Sequence, residues 1–116
     1  MTKLFDVNIL GTKYNVFVST PEQTPNLRTN DGFIAPEKKM IVLCKYNVDL
    51  HQKHVLIHEL VHAFLYESGL DNESWGNNEE IVDWIALQLL KMSDISKKSI
   101  KQLKPFYQKS KEEKKK

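Results

Sequence analysis

The chain has 116 residues, 41% apolar and 28% charged, and a formal net charge of +2. That length and composition fit one globular domain and exclude a largely disordered chain. No apolar run approaches the ~20 residues of a membrane-spanning helix, and the N-terminus lacks a signal peptide's apolar core, so neither a membrane protein nor a secreted one is expected.

Residues 3–10 alternate apolar and polar, Gly11-Thr12 interrupts them, and residues 13–18 alternate again with Tyr14, Val16 and Val18 on one face. The pattern predicts a β-hairpin. Residues 19–37, with three Pro and Gly32, read as a long connection containing a short strand near Phe33-Ile34. Residues 39–44 (KMIVLC) are a compact apolar run and a third strand. They hold the one cysteine, Cys44, which reads as a small buried hydrophobe. A lone cysteine excludes a disulfide framework and a multi-Cys metal site, and with no signal peptide it points to the cytoplasm.

Asp49 is placed to cap a helix from Leu50 to about Glu67, apolar on most faces and therefore buried, and Ser68-Gly69 stops it. Residues 70–77 read as a polar loop. Asn77 or Asn78 caps a second helix over 79–92, with Trp75 and Trp84 packed around it. A third helix is expected over 97–109, interrupted by Pro105. Strands first and helices after is an α+β order. Residues 91–116 carry ten Lys against Asp94, Glu112 and Glu113, a balance of +7, and residues 1–90 carry −5. With no Arg among these cations, the 97–116 end reads as a solvated helix or tail, and nucleic acid is not an expected partner.

His58-Glu59-Leu60-Val61-His62 is an HExxH motif. Positions i and i+4 share a helix face one turn apart, so two imidazoles reach one metal. Glu59 follows the first His and stands where it can take a proton from metal-activated water. The chance expectation from this chain's own His and Glu content is roughly 0.01 occurrences, too low for a compositional accident. A catalytic zinc site needs a third protein ligand. All four His lie at or before position 62, so that ligand is a downstream carboxylate, His51 or His54. His54, His58 and His62 together span about 12 Å of helix rise, too far for one ion, so His54 flanks the site. Glu79 and Asp83 share a face of the next helix. Glu79 is placed to ligate and Asp83 to accept a hydrogen bond from a ligand imidazole. Glu80 is the rival ligand, although as a first-turn acid it also suits the helix dipole.

HELVH followed by NEEIVD resembles the gluzincin pattern HExxH…NExxxD, and residues 79–90 (EEIVDWIALQLL) resemble ImmA/IrrE-type metallopeptidases. The resemblance covers roughly residues 39–92. The chain departs from the family at Val61, where Gly is frequent, and at Lys91-Met92, where Met-Pro is frequent. The resemblance implies a small sheet followed by an HExxH helix and a glutamate helix, with Glu79 as the third ligand. It also implies a phage or mobile-element protein whose substrate is a transcriptional repressor.

The expectation is therefore a minimal zinc metallopeptidase domain over 1–96, with about three strands and three helices. His58, His62 and Glu79 hold Zn²⁺, Glu59 is the general base, and Tyr66 or His54 donates to the oxyanion. The 39–44 strand, if at the sheet edge, pairs with the peptide or protein substrate. The alternative is a zinc-binding module that sequesters a regulatory protein without cutting it, for which Glu59 would be superfluous.

Overall fold

Alternation at the N-terminus produces β1 (Thr2–Ile9) and β2 (Thr12–Ser19), paired antiparallel. Leu10 and Gly11 join them with φ of 50° and 91°, the two positive values that a tight two-residue hairpin turn requires. Asn8 supports the turn by accepting a 2.7 Å hydrogen bond from the Gly11 amide. The computed structural model describes residues 1–70 and 75–114, with side chains through Leu103. Part of the expected 70–77 loop, residues 71–74, and the last two residues of the Lys-rich end lie outside it.

The connection after β2 contains one short helical turn (Pro25–Arg28) and then β3 (Gly32–Ala35). β4 (Met40–Cys44) pairs parallel with β2 and antiparallel with β3, so the strand order is β1-β2-β4-β3. Four strands form the sheet where about three were expected, because the short segment around Phe33-Ile34 is a full member. β4 is consequently an interior strand and β3 the edge, so the condition on which the 39–44 strand would pair with substrate is not met.

Alternate residues of β4 serve two layers. Ile41 and Leu43 join Tyr14 and Val16 beneath the first helix, while Val42 and Cys44 pack with Leu27 on the opposite face.

That helix, α1, runs Asp49–Glu67. Val48 precedes it without a side-chain cap, so Asp49 is the first helical residue rather than the cap. There its carboxylate still meets the positive end of the helix dipole. The C-terminus closes as a Schellman motif: Gly69 (φ 106°) donates to the Tyr66 carbonyl and Leu70 to that of Leu65. α1 is not buried all round. Val55 and Ala63 face the sheet and Val61 faces the second helix, but Leu50 and Phe64 are exposed because no third layer covers them.

The second helix, α2, runs unbroken from Glu79 to Lys114, replacing the expected pair of helices. No glycine interrupts this stretch, and Pro105 forfeits its N–H bond without ending the helix. At 36 residues α2 is about 54 Å long, against about 28 Å for the 19 residues of α1. Trp75 and Trp84 are exposed, contrary to their expected packing. Among the described residues no helix is long and apolar enough to cross a membrane.

Candidate metal centre

α1 presents His58 and His62 one turn apart, their rings 4.9 Å between centroids and their side chains only 15% and 14% exposed. α2 lies alongside, held by Val61, Val82 and Ala86. Asn78 sets where α2 begins, its side-chain oxygen accepting the Ile81 amide at 3.0 Å. Glu79 therefore stands in the first turn, opposite both imidazoles. Its two oxygens lie 2.9 Å from His58 Nε2 and 2.8 Å from His62 Nε2. Among the described residues, one ligand atom from each of His58, His62 and Glu79 lies within 4.8 Å of the others, a group that could hold a metal ion.

The donor chemistry fits a divalent metal. Two imidazole nitrogens and one carboxylate form a ligand set that leaves a fourth position open. His58 Nδ1 donates to Asp83 Oδ1 at 3.1 Å, which fixes the ring and turns Nε2 toward Glu79. The same Asp83 oxygen receives His54 Nε2 at 2.8 Å, so His54 braces Asp83 and lies outside the metal-binding group. His51 pairs separately with Asp31 at 2.6 Å. Glu80 is exposed and lies outside the metal-binding group.

Glu59 is 7% exposed, the one buried acid in the molecule's described core. Burial pushes its carboxyl up to about 7; His58 opposes that shift and Glu79 adds to it. His62 is lowered by its own burial, which favours the neutral ring a metal ligand needs. Asp83 has its carboxyl raised by desolvation, but hydrogen bonds from His58 and His54 outweigh this and hold it below the usual range.

The cleft over these residues is bounded by edge strand β3. A cavity of about 480 Å³ is lined by Phe33, Ile34, Glu59, His62, Tyr66 and Glu79, among others. A smaller one of about 220 Å³ lies on the His54 and Asp83 side. β3 comes this close because Gly32 has no side chain: a Cβ there would stand 2.6 Å from Val55 Cγ1. The sequence reads Gly32 only as part of the 19–37 connection, and the signal for its close approach was its position just before the apolar Phe33-Ile34 pair.

Sequence reasoning also missed the clamp on the last turn of α1. Tyr14 Oη and Lys39 Nζ both donate to Glu67 Oε2, at 3.1 and 3.0 Å, and the Lys39 ammonium sits 5.1 Å from the Tyr66 ring centroid. Hydrogen bonding from Lys39, with Thr12 and Tyr14 assisting against some desolvation, holds the Glu67 carboxyl below its ordinary range. The clamp ties the helix that carries both histidines to the hairpin and sets Tyr66 at the rim of the cleft. No family model, curated protein or solved structure matches the chain.

Proposed function

We propose that the chain is a zinc-dependent peptidase acting on an extended peptide laid along β3. The observation that carries this reading is the convergence of His58, His62 and Glu79 beside the buried carboxyl of Glu59. His58, His62 and Glu79 would hold Zn²⁺, which when bound would supply a Lewis acid for acidifying water and polarising a peptide carbonyl. Glu59 accepts a proton from water in the cleft and returns it to the departing amine. Asp83 keeps His58 in the tautomer and orientation that present Nε2. Tyr66 lines the same cleft as Glu59 and His62 and donates to the developing oxyanion, whereas His54 is engaged with Asp83.

The outer side of β3 offers main-chain donors and acceptors to a substrate strand. The resemblance of residues 39–92 to ImmA/IrrE-type peptidases nominates a transcriptional repressor as substrate, and the single buried Cys44 suits the cytoplasm.

Metal analysis of purified protein should give one zinc per chain, lost when His58 and His62 are both replaced by Ala. Stoichiometric zinc in that variant overturns the site. Glu59→Gln should retain zinc and fold while cleavage of a repressor or peptide falls by about 10²–10⁴-fold. If native and variant chains bind a repressor equally and neither cuts it, a sequestering module replaces the peptidase.

A further inference from the structure

The last α2 residue in the core between the helices is Ala86. Beyond it the helix outruns α1, and Met92, Ile95, Ile100 and Leu103 are 50–64% exposed. At 3.6 residues per turn these four, with Ser96 and Ser99, fall within an arc of about 140°, and Lys91, Lys97, Lys98 and Lys101 occupy the other side. A helix extending from its domain with an uncovered apolar stripe is marginal on its own.

We infer that the stripe is the interface for a second copy of this chain, the two α2 helices packing antiparallel about a two-fold axis between Lys97 and Lys98. The sequence around that point is a mirror. A two-fold interface sets each residue against the one equidistant on the other side. Met92 thus meets Leu103, Ile95 meets Ile100, and Ser96 meets Ser99. The two serines fall at the centre of the stripe, where small side chains let the backbones approach, and the larger apolar residues close the contact on either side.

An anionic lipid surface would attract the Lys face, but it leaves the mirror order of the stripe without a reason. The interface is independent of the proposed peptidase.

Sedimentation equilibrium of the full chain, from low to high micromolar, tests this. The mass should approach twice that of the monomer. The double variant Ile95→Asp with Ile100→Asp should stay monomeric at every concentration. Circular dichroism should show its unfolding transition unchanged at dilutions where both proteins are monomers, because the replaced residues lie outside the core. For register, Ser96→Cys and Ser99→Cys chains are mixed and oxidised; Cys44 is buried and does not compete. Mixed 96–99 disulfides should predominate. A wild-type monomer throughout, a dimer that survives the double substitution, or a majority of like disulfides each overturns the proposal. So does a monomer whose stripe-dependent binding is to phosphatidylserine vesicles.

Discussion

Two stretches of α2, residues 79–90 and 91–103, share one helix and differ in almost everything else. Residues 79–90 pack Val82 and Ala86 against Val61 of α1, with both side chains fully buried, and present Glu79 and Asp83 to His54, His58 and His62. Residues 91–103 keep the apolar periodicity but leave Ile95, Ile100 and Leu103 more than half exposed. The comparison separates helix formation from helix burial. Local propensity continues the backbone past residue 90, but only the first half has a neighbouring layer to hold side chains in place. A metal site needs side chains held to within fractions of an ångström, and the ligands accordingly lie where the helix is packed.

The largest effect that tests this division is on metal affinity. Glu79→Ala should weaken zinc binding most, in a titration against a chelating dye. Asp83→Ala should weaken it about 10–100-fold through the lost orientation of His58. Glu80→Ala, in the same turn but outside the ligand group, should change it little. Loss of zinc in Glu80→Ala with retention in Glu79→Ala would shift the ligand by one residue and break the assignment of Asp83.

A smaller effect compares packing directly. Val82→Ala removes two methyl groups from a fully buried site and should cost about 2 kcal/mol in urea unfolding. Ile100→Ala, 56% exposed, should cost less than about 0.5 kcal/mol in dilute protein. Equal costs would mean that the projecting half belongs to the cooperative core.

The smallest concerns the clamp on α1. The Glu67 carboxyl is held below its unfolded value of 4.5 by Lys39. Its contribution is therefore present above pH about 4.5 and fades as the pH falls through the lower folded value. Lys39→Met should flatten the acid side of the stability profile, read as unfolding midpoints between pH 3 and 6. An unchanged profile would show that Tyr14 and Thr12 alone set the Glu67 interaction.

The histidine pair of the candidate metal-binding group was legible because HExxH is a local, helical device: spacing alone puts His58 and His62 on one face. Glu79 needed an assumption about register, and the structure meets it through the Asn78 cap. Which strand forms the edge was left open because strand order is non-local. Residues 39–44 are the more hydrophobic run, which marks an interior strand, and β3 is short and half-buried as an edge often is. The break expected between residues 92 and 97 is absent because Ser93, Asp94 and Ser96, weak helix formers, do not outweigh the propensity of the residues around them.

The sequence by itself determined the chemistry on offer: two imidazoles and a carboxylate one turn apart on α1, acids opening the next helix, and a basic end. Only the tertiary structure decided which groups meet. It set β3 over the cleft through the missing Cβ of Gly32, turned His54 onto Asp83, tied Glu67 to Tyr14 and Lys39, and left residues 91–103 of α2 uncovered. Those contacts join residues far apart in the chain. They depend on how layers pack, which no local periodicity encodes.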